Sequence, residues 1–269
     1  MTLLQIIVLA VVQGITEFLP ISSSGHLILV PALTNWPDQG IMMDVGVHVG
    51  TLGAVILYFS NDVGRMFISF LQILSLRKEY NKTDRHLMLM LILSTIPIII
   101  LGGAASIFGI VGALRTIEVI GWTSIIFGIL LYIADTKGTV KLDLSKICFG
   151  HALIIGFAQV LAIIPGTSRS GITMTAARAI GFNRKDAARF SMLMSIPTIL
   201  IAAILQVKDL TETVNINIGS ELILGAGLSF FTALLAIAGL LKWLERASMT
   251  PFVIYRVILG IGLLVMVYA

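Results

Sequence analysis

The chain is short of charge. Only 12% of its 269 residues are Asp, Glu, Lys or Arg, against roughly 25% in soluble domains, while 57% are hydrophobic. With a mean hydropathy of +1.01, this deficit excludes a water-soluble globular protein and describes an all-α polytopic membrane protein. Cysteine is nearly absent as well. Cys148 stands alone, which excludes an intrachain disulfide framework; in its apolar stretch it is expected to be an inert packing residue. Long polar segments are also missing. The longest polar loops run to about a dozen residues, too short for a core of their own, so a single integral membrane domain over 1–269 is expected. The N-terminus has no basic residue ahead of its apolar run, which does not fit a cleaved signal peptide. The net charge of +4 does not point to nucleic acid, because the Lys and Arg residues gather in short loops and read as a topology signal.

A spanning helix needs about 20 mostly apolar residues. By that length, spans are predicted near 43–60, 87–108, 117–134, 190–206, 220–241 and 250–268. Two further apolar regions, 1–30 and 147–182, are each interrupted. The first contains Gln13-Gly-Ile-Thr-Glu-Phe-Leu-Pro-Ile-Ser-Ser-Ser-Gly-His26 and the second Pro165-Gly-Thr-Ser-Arg-Ser-Gly-Ile-Thr173. Each reads as an apolar arm, a polar tip and a shorter arm, the pattern of a re-entrant helical hairpin. Broken backbone at membrane depth is tolerated only where protein or a wet cavity surrounds it.

Loop charges set the orientation. Loop 76–86 holds Arg77, Lys78, Lys82 and Arg85, loop 135–146 holds Lys137, Lys141 and Lys146, segment 183–189 holds Arg184, Lys185 and Arg189, and loop 242–249 holds Lys242 and Arg246. Loop 31–42 has no basic residue, 109–116 only Arg115 and 207–219 only Lys208. The positive-inside rule puts the first group in the cytoplasm and the second outside. The assignment alternates only if each broken region starts and ends on one face. The result is six spanning helices plus two re-entrant hairpins, in halves of about 1–134 and 147–269 with opposite orientation. A shift of 146 places Gln13 on Gln159, Ser22 on Ser168, Ser24 on Ser170 and Gly25 on Gly171, and misses the prolines, Pro20 and Pro165, by one. Inverted repeats with broken helices near the midplane are a known transporter architecture. The alternative is an eight-helix bundle with two kinked helices.

The tips carry the chemistry. An ionisable group at membrane depth is a functional suspect by default. Pro20 ends the first arm, and Ser22, Ser23 and Ser24 then offer caps to the next helix. Helix N-termini present free N–H groups and partial positive charge. The second tip repeats the device with Gly166, Thr167, Ser168 and Ser170 around Arg169, whose planar fork matches phosphate oxygens. Together they form an anion cradle suited to a phosphate or diphosphate. Glu17 fits a base or a metal ligand, and His26 a proton shuttle, a phosphoryl acceptor or a hydrogen-bond donor. On a helical arm Gln13 and Glu17 share one face. Thr173 is an equal candidate for the site and for backbone satisfaction. Asp44 and His48, four apart in the second span, either line the same cavity or pair with each other. Arg189 and Arg256 are expected to anchor helix ends near the cytoplasmic face. Gly102-Gly103 and Gly225-Ala-Gly227 are expected at close helix contacts.

The motif Gln13-x-x-x-Glu17 with Phe-Leu-Pro-Ile-Ser-Ser-Ser-Gly-His26 resembles the first signature of the bacterial undecaprenyl-diphosphatase family, the bacitracin-resistance type. Pro165-Gly-Thr-Ser-Arg-Ser-Gly-Ile-Thr173 resembles its second, and Ala188-Arg-Phe-Ser191, Ile196-Pro197, Thr250-Pro-Phe and Tyr255-Arg256 extend the likeness nearly end to end. The family often has Glu where this chain has Gln13, which leaves Glu17 as the main acidic candidate. The resemblance implies a membrane hydrolase that converts a C55 polyprenyl diphosphate to the monophosphate carrier and phosphate. It further implies a divalent cation, Mg2+ or Ca2+, a site open to the outer face of the bacterial plasma membrane, and roles in peptidoglycan synthesis and bacitracin tolerance. Expected partners are the polyprenyl diphosphate and membrane lipids, with a homodimer left open. In the reading that follows, Glu17, Ser23, His26 and Arg169 are catalytic. Ser23, or Ser22, attacks the terminal phosphorus, Glu17 takes the proton or holds the cation, and His26 assists. Attack by water or by His26 also fits. Gln13, Ser22, Ser24, Gly166, Thr167, Ser168, Ser170 and Thr173 are substrate-binding candidates. The rival function is a polyprenyl-phosphate transporter on the same fold.

Overall fold

The computed structural model describes residues 1–34, 36–74, 81–138, 140–213 and 219–269. Arg77 and Lys78, two of the loop cations, lie outside them, and so does the side chain of Lys208. Twelve α-helices are present among the described residues, with no named strand: α1 (Leu3–Thr16), α2 (Ser23–Thr34), α3 (Gly40–Tyr58), α4 (Ser60–Leu74), α5 (Lys82–Ile107), α6 (Ile110–Ala113), α7 (Ile117–Lys137), α8 (Phe149–Val160), α9 (Arg169–Ala179), α10 (Arg184–Thr213), α11 (Ser220–Leu244) and α12 (Thr250–Tyr268). Six of them, α3, α5, α7, α10, α11 and α12, are long and apolar enough to cross a membrane. These are the six predicted spans, with ends moved by a few residues. The chain is a multi-pass membrane protein.

Both interrupted regions are pairs of short helices. Their arms hold 14 and 12 residues in α1 and α2, and 12 and 11 in α8 and α9. At about 1.5 Å per residue, no arm exceeds about 21 Å, well short of a hydrocarbon core of about 30 Å. The turns begin earlier than the prolines suggested: α1 stops at Thr16, four residues before Pro20, and α8 runs into a 3-10 turn at Leu161–Ile163 before Pro165. Proline biases the residue before it away from helix, so the boundary falls upstream.

The packing follows a pattern. α3 lies on α11, α1 on α11, α5 on α8, α5 on α10, α3 on α10 and α7 on α12. Exchanging α1 for α8, α2 for α9, α3 for α10, α5 for α11 and α7 for α12 turns the α1–α11 pair into α8–α5. The same exchange turns α3–α11 into α10–α5 and returns α3–α10 and α7–α12 to themselves. Helices α4 and α6 stand outside this exchange, and so do the α9–α7 and α9–α10 contacts, which α2 does not match to the same extent with α12 and α3. The apolar core is largely built from α3, α5, α9, α10 and α11, with Phe18, Val55, Met90, Met174, Leu193 and Ile237 buried within it.

Close helix contacts require small residues at particular points. A Cβ on Gly50 would sit 2.2 Å from Ala226 O, and one on Gly156 would sit 2.5 Å from Ser94 O. The predicted Gly102-Gly103 pair does not work this way: added methyl groups there meet nothing closer than 3.4 Å, because the pair faces away from neighbouring backbone. Of the second run, Gly225 is tight against Met43 and Gly227 is open.

Three further differences from sequence expectation follow from burial. Cys148 is exposed at the start of α8 rather than packed. Helix α4, too short for a search by spanning length, buries Asp62 and Ser69 and exposes Phe67, Ile68, Phe70 and Leu71. Its Asp62 receives two bonds of 2.7 Å from Arg189 Nη2, so Arg189 does sit at a helix start, tied to a carboxylate. Arg256 is the opposite case. It is fully buried in the middle of the molecule, not anchored at an end.

Candidate active site

Each tip is built by a serine in an unusual conformation. Ser22 has φ +75° and Ser168 has φ +70°, the only non-glycine residues with positive φ among those described. Such backbone costs about 1–3 kcal/mol and persists where the surroundings enforce it. Both serines turn the chain into a helix start and cap it: Gly25 N donates to Ser22 Oγ at 3.3 Å, and Gly171 N donates to Ser168 Oγ at 3.0 Å. The hydroxyls of Ser22 and Ser24 are 3.5 Å apart and those of Ser168 and Ser170 3.2 Å. The residues matched by the 146 shift therefore adopt matching local structure.

The two tips touch. Ser170 Oγ donates to Leu19 O at 2.9 Å. Arg256, from α12, reaches both: Nη1 donates to Pro20 O at 3.3 Å, and Nη2 donates to Gly166 O and Thr167 O at 2.9 Å each. Its remaining bonds, from Nε to Ser124 O and from Nη2 to Thr123 O at 3.3 Å each, fix α7 to the same point. Irregular turns leave carbonyls without helical partners, and in apolar surroundings those must be satisfied. One buried guanidinium satisfies five carbonyls of two tips and a helix. Gly166 adjoins this knot with φ +85° and leaves 2.1 Å between a hypothetical Cβ and Thr123 Oγ1, so both backbone and space demand glycine there.

The functional groups meet at a cavity of about 250 Å³. Glu17 is at its centre. Its Oε1 accepts from Arg169 Nη2 at 2.6 Å. Its Oε2 accepts from Ser23 Oγ at 2.7 Å and from Gln13 Nε2 at 3.0 Å. Arg169 also donates Nη1 to Ser191 O at 3.0 Å, which fixes its fork. An acid from one tip, a hydroxyl beside it and a guanidinium from the other tip thus share one space. Ser22, Ser24 and Ser168 line the cavity with them, and Ile98, Ala162, Ile163, Ile199, Ala202 and Ala203 give it apolar wall.

Other expected site residues lie behind this wall. His26 does not line the cavity. Its Nδ1 donates to Ser22 O at 2.7 Å and its Nε2 meets Tyr255 Oη at 2.5 Å, with the two rings stacked. Thr173 is wholly buried and spends its hydroxyl on Arg169 O, Ser170 O and Ser191 Oγ. Gly166, Thr167 and Ser170 shape and tie the tips, and Gln13 acts through Glu17.

Of Asp44 and His48, expected either to line the cavity or to pair with each other, His48 does line it, with Nε2 3.8 Å from Glu17 and Nδ1 committed to Asp44 O at 2.6 Å, while the Asp44 carboxylate turns to Gln39. Sequence reasoning passed over two residues here. Gln159 lines the cavity from α8. Arg256 carried a usable signal, since it is an ionisable residue inside an apolar run. Its place in the second turn of α12 made a snorkelling anchor the easier reading.

A family model described as bacitracin resistance protein BacA matches residues 6–262. The chain belongs to that family. A protein of Ruegeria pomeroyi named undecaprenyl-diphosphatase is 47% identical over 269 residues, covering 100% of both chains. One of Jannaschia sp. with the same name is 48% identical at the same coverage. One of Alcanivorax borkumensis, again so named, is 46% identical over 97% of each chain. The similarity of these BacA relatives thus extends over both tips and every helix that holds them.

The family implies a divalent cation, and the residues test that. No three His, Cys, Asp or Glu side chains gather as a cage among the described residues. Glu17 accepts from the amide nitrogen of Gln13, whose buried Oε1 has no partner. These are the oxygens that would be offered to a hard cation, which would take its remaining ligands from substrate phosphates rather than an all-protein cage.

Proposed function

We infer that this protein is an undecaprenyl-diphosphatase: it hydrolyses a C55 polyprenyl diphosphate to the monophosphate and inorganic phosphate, and so returns the lipid carrier to peptidoglycan synthesis. The carrying observation is the triangle of Glu17, Ser23 and Arg169 across two tips. A carrier of anionic headgroups has no need of a hydroxyl bonded to a buried carboxylate; a phosphatase does.

The diphosphate displaces Arg169 from Glu17 and takes its charge. The apolar wall of the cavity receives the first isoprene units, and the tail leaves sideways into lipid. Ser23 Oγ attacks the terminal phosphorus and loses its proton to Glu17 at 2.7 Å. The Oγ–P bond forms as the bridging P–O bond breaks, and polyprenyl phosphate leaves with the electron pair and takes the proton from Glu17. Water then attacks the phosphoserine and gives its proton to the freed Glu17 carboxylate, which passes it to Ser23 Oγ as the Oγ–P bond breaks, leaving phosphate and free Ser23. Arg169 and the N–H groups at the starts of α2 and α9 stabilise the transferred phosphoryl, where most catalysis in this reaction class resides. A Mg2+ or Ca2+ ion held by Glu17 and Gln13 would offset the substrate's negative charge. His26 holds the first tip through Ser22 and Tyr255.

On the positive-inside reading of the basic loops, α4, the start of α10 and the end of α11 face the cytoplasmic side of the plasma membrane, and the cavity opens to the outer face. Purified protein in detergent, where membrane sides do not exist, should release phosphate from polyprenyl diphosphate. Absence of release in the presence of Mg2+ or Ca2+ would overturn the enzymatic reading in favour of transport.

A further inference from the structure

Gln159 is wholly buried, yet it is among the residues that line the cavity, as are Ser168 and Arg169. Its amide oxygen accepts from Thr198 Oγ1 at 3.3 Å. Its Nε2 has no partner. A buried donor without an acceptor is costly, the more so in apolar surroundings, and each such group in a folded protein calls for an explanation.

The other tip supplies one. Gln13 is the counterpart of Gln159 under the 146 shift and is equally buried. Its N–H donates to Glu17, one helical turn on. One turn on from Gln159 stands Ile163, which offers no acceptor. The first tip thus closes its amide on a carboxylate of its own, and the second leaves the same donor unpaired in a residue that lines the cavity. A phosphate oxygen is acceptor only, and Arg169, which lines the same cavity, attracts it.

We propose that Gln159 is a substrate-binding residue, donating Nε2–H to an oxygen of the diphosphate. Thr198 orients the amide, and the bond adds affinity without adding charge. This rests on the phosphatase reading and extends it to a residue on α8.

The test uses the full chain in detergent. Gln159→Met keeps the length and removes both polar atoms; Gln159→Glu keeps an acceptor and removes the donor. KM for polyprenyl diphosphate, kcat, the inhibition constant of inorganic pyrophosphate and the unfolding temperature are read for each. Gln159→Met is expected to raise both KM and the pyrophosphate constant about tenfold, with the unfolding temperature held. Gln159→Glu is expected to raise them further, by about 100-fold, since it sets a carboxylate against an anion. If Gln159→Met does not fold, Gln159→Asn, which withdraws the amide by one methylene, is expected to weaken pyrophosphate about as much. A pyrophosphate constant within twofold of wild type in the folded variants overturns the proposal, whatever happens to the unfolding temperature. Failure of the wild-type protein to release phosphate would instead sink the parent reading, so the two failures are distinct.

Discussion

The two tips share a scaffold and divide the chemistry. Ser22 and Ser168 both have positive φ and cap the next helix in the same way. Gln13 and Gln159, Ser24 and Ser170, and Gly25 and Gly171 also correspond. The tips differ where reaction needs them to differ. Glu17 faces Ile163 across the comparison, Ser23 faces Arg169, and His26 faces Ile172. One tip therefore brings a carboxylate and a hydroxyl, and the other brings fixed positive charge. Two identical tips could cradle an anion; on the mechanism proposed above, only the unlike pair can also attack it.

Substitutions at the differing positions are expected to have the largest effect on rate. Ser23→Ala should lower kcat for phosphate release by more than about 10^3-fold with little change in stability, and Arg169→Ala should damage KM and kcat together. A Ser23→Ala enzyme at normal rate would move the attack to water. Next comes the knot that holds both tips. Arg256→Met removes five hydrogen bonds and orphans buried carbonyls; it should cost more than about 3 kcal/mol and lower the unfolding temperature by about 5–10 °C. An unfolding temperature unchanged by that substitution would show the tips to be independent. Gly166→Ala should cost about 1–3 kcal/mol through its positive φ, with further loss from crowding against Thr123, both read by thermal unfolding. The smallest effect belongs to Ser168→Gly, where loss of the cap and relief of strain oppose each other. Its net change should stay within about 1 kcal/mol, and a larger loss would give the Ser168 hydroxyl a role beyond capping.

Much of this was legible before the structure. Six spans follow from apolar length, and both hairpins follow from Pro, Gly and Ser inside apolar runs. Gln13 and Glu17 were placed on one face by helical spacing, and the bond between them bears that out. Glu17 and Arg169 were chosen because burying them is expensive and Ser23 because its hydroxyl lies in the same motif, and the three meet. The misses are those in which direction matters. Which way Thr173, His26 and Gln159 point depends on the rotation of α9, α2 and α8, which motif spacing does not encode. Arg256 was misplaced because an arginine near a helix start looks the same in sequence whether it turns to water or inward. Helix α4 was passed over because it is amphipathic and short, invisible to a search for spanning length.

The account turns on Glu17 and Arg169 serving a single phosphorus atom from opposite tips. A double-mutant cycle tests this most directly, with kcat/KM for polyprenyl diphosphate measured for Glu17→Gln, Arg169→Met and the pair. Groups that act as one unit are strongly non-additive, so the double variant should be little worse than the poorer single one. A double variant whose loss equals the product of the two single losses would mean that the residues work at separate places.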